Sequence, residues 1–155
     1  RWAQWYLPRH GYEQYEIANF ALAGRESRHN LNYWREGEYL GIGPGAASYI
    51  NGTRMKNSGL LREYAAALDA GRLPIRESER LDAEARGREA AVLALRTAAG
   101  IERAEFAREY GEAALSRVER IMGGFPKNLY ESDERGIRLT KSGMHVANLI
   151  WEELV

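Results

Sequence analysis

Side chains able to do chemistry gather in one stretch, His29-Asn30-Leu31-Asn32-Tyr33-Trp34, and in the turn that follows, Tyr39-Leu40-Gly41-Ile42-Gly43-Pro44-Gly45-Ala46-Ala47-Ser48. An imidazole has a nitrogen that can take a metal or a proton near neutral pH. Tyr33 and Trp34 bring flat apolar faces with a polar edge, and glycines let a backbone approach a ligand closely. Read alone, His29 beside Asn30 is either a metal or haem ligand or an ordinary hydrogen-bonded loop residue. Tyr33 and Trp34 are either walls of a site or plain packing. Arg25, Arg28 and Arg35 can pair bidentately with carboxylates, or form a solvated loop with the interleaved Glu26, Glu36 and Glu38. The Gly41–Gly45 turn is no phosphate cradle, because its spacing differs from GxGxxG and Pro44 removes a donor. No Ser–His–Asp order, HExxH or CxxC occurs, so no residue is assigned a catalytic role.

Composition narrows the classes. The chain has 155 residues, with 22 basic and 22 acidic side chains, so no overall field draws in nucleic acid or an anionic membrane. No apolar run approaches the roughly 18 residues of a transmembrane helix, and no signal peptide opens the chain. The absence of cysteine excludes disulfides, thiolate zinc sites and iron–sulfur ligation by these residues. This fits a cytoplasmic protein.

The elements that must position the block follow from periodicity and punctuation. Trp2, Trp5 and Tyr6 predict a helix ended by Pro8 and Gly11. Tyr12 to Phe20 reads as one strand, and Tyr39 to Ile42 as a second. Both the HNLNYW block and the glycine turn then lie in loops after strands. Asn51 to Asn57 reads as a linker, and from Leu60 strands disappear for some seventy residues. Helices are predicted around Leu61–Leu68, from an Asp82 cap to Gly100, around Phe106 and Tyr110, and over Leu115–Met122. Leu129–Ser132 and Ile137–Thr140 form a hairpin, and Thr140 caps one last helix to Leu154.

The run from Gly11 to Ser48, GYEQYEIANFALAGRESRHNLNYWREGEYLGIGPGAAS, resembles the back half of the catalytic domain of HemW-type proteins. These are radical S-adenosylmethionine proteins related to oxygen-independent coproporphyrinogen III oxidase and regarded as haem chaperones. HNxxYW marks the haem-binding branch. Glu89–Ile101 and the ending from Ile137 to Gly143 are similar too, so the resemblance covers nearly the whole chain. It implies an α+β fold: residues 1–57 would be the last strands of a partial (β/α) radical S-adenosylmethionine barrel, and residues 58–155 a mainly helical, winged-helix-like C-terminal domain. In such barrels the loops after the strands carry ligands.

The resemblance also implies roles. His29 would ligate haem iron through an imidazole nitrogen, with Asn30, Tyr33 and Trp34 around the porphyrin and Arg28 toward its propionates. Ile42, Gly43, Gly45 and Ala47 would lie near S-adenosylmethionine. The usual turn is GPGAHS, and this sequence has Ala47 in place of the histidine. The usual cysteine before the block is Ser27 here. The CxxxCxxC motif that holds the 4Fe-4S cluster is missing, and the chain opens on Arg1 rather than Met. We therefore read it as a C-terminal part of a longer protein, inactive in radical chemistry alone. The expected function is to bind haem and deliver it to a haem-acceptor protein. One alternative is radical decarboxylation of coproporphyrinogen III in porphyrin biosynthesis. A second is a winged-helix module acting on nucleic acid or protein. Against the latter, Arg117, Arg120, Lys127, Arg135 and Arg138 are opposed by Glu112, Glu119, Glu131, Asp133 and Glu134, which leaves no basic face. Barrel strands without their neighbours expose edges. Residues 1–50 are thus expected to be partly disordered or to self-associate with another copy, while 58–155 hold a self-sufficient core.

Overall fold

A computed structural model describes residues 2–155. By contacts the chain divides into two units: Arg1–Glu36 with Ala83–Val155, and Gly37–Asp82. This partition differs from a boundary at residue 57, which concerns where the barrel of a longer protein would end. Every strand pair among the described residues is antiparallel, so parallel barrel pairing is not represented in them. No helix of the described residues is long and apolar enough to cross a membrane.

The first unit opens with helix α1 (Trp2–Tyr6) and a 3-10 turn, Leu7–His10, which Pro8 starts and Gly11 ends. The single strand predicted over Tyr12–Phe20 is instead a hairpin, β1 (Tyr12–Glu16) with β2 (Asn19–Leu22). A side-chain bond across the turn accounts for the difference: Asn19 donates to Glu16, a closure that alternation does not reveal. The HNLNYW block is likewise no loop. It forms helix α2 (Arg28–Trp34), started by Ser27, whose hydroxyl oxygen accepts from the Asn30 N–H at 3.3 Å. A serine hydroxyl is a strong N-cap, so the residue standing in place of the usual cysteine starts the helix.

After the second unit the chain returns in α4 (Ala83–Leu95), β6 (Ile101–Glu102), α5 (Arg103–Tyr110), α6 (Glu112–Gly123), β7 (Tyr130–Ser132) and β8 (Gly136–Leu139), with sheet order β6-β8-β7. Ala91, Leu95, Ile101, Met122, Ile137, Ile150 and Leu154 are at most 1% exposed, within one contiguous cluster. At about 1.5–3 kcal/mol for each buried aliphatic side chain, this cluster is what holds the unit. Thr140 caps as expected, accepting from the Gly143 N–H at 3.1 Å. The last helix is broken at Val146 into α7 (Lys141–His145) and α8 (Ala147–Leu154).

The second unit is a three-stranded sheet, β3 (Ala47–Ile50), β4 (Thr53–Asn57) and β5 (Ile75–Arg80), with helix α3 (Leu61–Asp69). The expected linker is a hairpin because Asn51 and Gly52 adopt φ of 51° and 71°, the left-handed pair a tight hairpin turn requires. Strand β5 breaks the expected strand-free run. It is charged along its length, and its register sets Arg54 opposite Glu79 and Lys56 opposite Glu77. Opposite charges across strands stabilise the pairing. The strand predicted at Tyr39–Ile42 shrinks to one bridge between Tyr39 and Tyr49.

Candidate functional site

Helix α2 presents its N-terminal half outward. Arg28 and His29 are exposed, Asn30 is half-buried, and Arg25 and Arg35 are exposed on either side. Four residues on one helix are one turn apart, so His29 and Tyr33 meet. The Tyr33 hydroxyl lies 3.2 Å from His29 Nε2, and the rings meet edge to face with centres 4.6 Å apart.

The C-terminal end of α2 is fastened. The guanidinium carbon of Arg96 is 4.5 Å from the centre of the Trp34 ring and 4.6 Å from that of Trp151 on α8. One cation thus serves two indoles, each contact contributing about 0.5–2 kcal/mol. The Arg96 carbonyl also accepts from the Ile17 N–H at 2.8 Å. Beside it sits Glu16, fully buried, with Oε1 taken by Asn19 and Oε2 without a partner. Burial pushes the Glu16 carboxyl above its usual range, opposed by the Asn19 hydrogen bond and the Arg96 charge.

A second fastening lies just past the helix. Glu36 takes φ of 51°, and its carboxylate accepts from the Tyr110 hydroxyl at 2.9 Å and from Arg86 Nε at 3.2 Å. Arg86 also reaches Glu109 at 2.7 Å and lies over the Tyr110 ring. Desolvation raises the Glu36 carboxyl, against the Tyr110 bond and the Arg86 charge. Desolvation and the neighbouring Glu36 charge push the Tyr110 phenol up as well. Arg86 lies in the first turn of α4 and Arg96 directly follows its last residue, so both fastenings tie α2 to the same helix. None of Glu16, Glu36, Arg86, Arg96, Tyr110 and Trp151 was singled out as a site residue from sequence. Their partners lie far along the chain, and no local pattern announces them.

The glycine turn belongs to the other unit and is knitted to itself. Gly41 is required by closeness, since a Cβ there would lie 2.1 Å from the Ala47 carbonyl oxygen. The Gly43 N–H donates to the Tyr64 hydroxyl at 3.2 Å and the Gly45 N–H to the Ser58 carbonyl at 3.0 Å. Asn57 Nδ2 donates to the carbonyls of Gly41 and Gly43. The amides of Gly43 and Gly45 are therefore committed within the turn. What the turn leaves outward is the Ile42 side chain, 84% exposed, with Ala47 exposed on β3. Among the described residues no group of three or more His, Cys, Asp or Glu could hold a metal ion. His29 stands as a single imidazole.

No protein-family model matches the chain. Among curated proteins it is 36% identical over 143 residues to the heme chaperone HemW of Bacillus subtilis, covering 92% of this chain and 38% of that protein. It is 32% identical over 151 residues to the heme chaperone HemW of Lactococcus lactis, covering 96% of this chain and 39% of that one. The chain thus spans about two fifths of the curated relatives it matches. In fold it is similar to the coproporphyrinogen III oxidase HemN of Escherichia coli, a radical SAM enzyme, with a TM-score of 0.74 over 98% of this chain and 39% of that one, at 17% identity.

Proposed function

The chain belongs to the HemW-type, HemN-like radical S-adenosylmethionine proteins, and from that premise we propose that it is a part of such a protein that handles haem and passes it to a haem-acceptor protein. One observation carries the reading: an exposed imidazole, His29, bonded to Tyr33 on a helix whose far end is anchored. Haem is the cargo. A solvent-facing imidazole suits it as an axial ligand, and Tyr33 lies alongside. Arg28 is exposed and free to meet a propionate. Trp34 gives one ring face to Arg96, so its part is to hold α2 as much as to touch a porphyrin.

The finer architecture belongs to the same reading. Residues 1–57 are taken as the end of the family barrel and 58–155 as a winged-helix-like domain. The order α4, β6, α5, α6, β7, β8 with a β6-β8-β7 sheet supports the latter. S-adenosylmethionine and the 4Fe-4S cluster are assigned to the whole protein. The cluster finds no thiolate here, since the chain has no cysteine, and no step is derived through it. Near S-adenosylmethionine the turn would contribute the apolar Ile42 rather than the amides of Gly43 and Gly45, with Ala47 beside it. Self-association through β5 is not favoured. The outer strand β5 carries Arg76, Glu77, Glu79 and Arg80, and a charged edge opposes pairing with another copy.

Titrating haem into the protein and into its H29A variant, followed by the Soret band, tests this. Stoichiometric binding that H29A abolishes or shifts in wavelength is expected. Identical spectra for both would remove His29 from the site, and no binding to either would end the haem reading.

A further inference from the structure

A cleft of about 410 Å³ lies in the first unit, away from α2. Ala114, Val118 and Leu154 give it an apolar lining, Tyr110 lines it too, and Arg88, Arg117 and Arg120 bring charge to it. Its size is that of a small-molecule site. Arg88 is already paired with Glu84 at 2.6 Å. Arg117 and Arg120 have no ion pair among the described residues, and Arg117 Nε is buried without a hydrogen-bond partner. A buried donor left unpaired costs about 1–3 kcal/mol, which an arriving acceptor restores. Guanidinium matches carboxylate in shape and charge.

We infer that this cleft binds a carboxylate carried on an apolar body, the head on Arg117 with Arg120 beside it and the body on Ala114, Val118 and Leu154. A small inorganic anion would leave the apolar lining unused, and a neutral lipid would leave Arg117 unpaired. Two sources share this chemistry, an acyl-chain acid and a tetrapyrrole propionate. Tyr110 connects the cleft to α2, since its hydroxyl bonds Glu36 two residues past Trp34.

The test uses the full chain with dodecanoate below its micelle concentration, followed by calorimetry and by the methyl resonances of Val118 and Leu154. Binding should move those methyls, weaken at least tenfold in R117Q, and be at least tenfold weaker for dodecanol. Far-UV circular dichroism of R117Q establishes that the variant is folded, and R120Q provides a second, more exposed substitution expected to weaken binding less. Metal-free protoporphyrin, which has no iron for His29, forms the other arm. Competition with dodecanoate would make the source a tetrapyrrole, and its failure to compete an acyl acid. No binding of either probe, or binding that R117Q and R120Q leave unchanged, overturns the inference.

Discussion

The two units differ in what they bury. Residues 1–36 with 83–155 close around a contiguous cluster from Ala91 and Leu95 to Ile150 and Leu154. In residues 37–82 the only large hydrophobic side chain among the described core residues is Tyr49, while Leu40, Ile42, Leu60, Leu61, Leu68 and Leu73 are 49–84% exposed. Its order comes from hydrogen bonds instead: the β3-β4-β5 ladder, the Asn57 amide spanning two carbonyls, and Ser58 donating to Glu63 at 2.6 Å. Net hydrogen bonds contribute about 0.5–1.5 kcal/mol each, less than a buried aliphatic side chain. The two units are therefore expected to differ in local stability.

Arg96 offers the sharpest way to break that contrast. R96A removes two cation–π contacts and the charge that offsets Glu16, and should destabilise the first unit by about 3–4 kcal/mol. Near-UV circular dichroism would lose its tryptophan signal at lower denaturant. A midpoint unchanged from wild type would mean that Arg96 does not fasten α2. Next in size, Y49A should cost about 2–3 kcal/mol. Hydrogen exchange should show the loss in β3, β4 and β5 while α4 and α8 stay protected. Equal loss of protection in α4 would show that the units do not unfold separately.

Glu16 carries a smaller, pH-dependent effect. Burial raises its folded carboxyl above the ordinary glutamate range, so its favourable contribution is complete below that range and disappears as pH rises through the folded pKa. E16Q should raise the melting temperature by a few degrees at pH 8, with the gain vanishing near pH 4. A melting difference that does not change with pH would mean Glu16 is already neutral or already compensated. Smallest of all, L73K at a 77% exposed position should change stability by less than about 0.5 kcal/mol. A larger loss in a thermal melt would reveal that Leu73 is covered.

Much of the fold was legible where the chain punctuates itself. The helices Leu61–Asp69, Arg103–Tyr110 and Glu112–Gly123 and the β7–β8 hairpin follow apolar spacing closed by glycine. Strand β5 escaped because its reason for pairing, the charges of β4 opposite it, lies on another strand. Asn51-Gly52 was readable as a hairpin turn, but the polar residues around it suggested a linker. The site divides in the same way. His29 and Tyr33 stand out by residue type, but the block reads as a loop, and the helix that brings i and i+4 together is not read from sequence. The anchors Arg96, Glu36 and Tyr110 do not stand out, because each acts on a residue dozens of positions away.

The chain leaves the first unit at Glu36 and re-enters it at Ala83, so Glu36 meets Arg86 across 50 positions and Tyr110 across 74. Closing a loop costs entropy that grows with the logarithm of its length, about 0.6 kcal/mol per doubling. Lengthening the segment between them would thus hardly alter how firmly α2 is held at equilibrium. It would alter when it is held: long-separated contacts are slow to find, so the contiguous α4–α8 stretch is expected to assemble before α2 and the β1–β2 hairpin, whose Ile17 bonds Arg96 from still farther along the chain. The helix that presents His29 then belongs to the part of the unit that joins late.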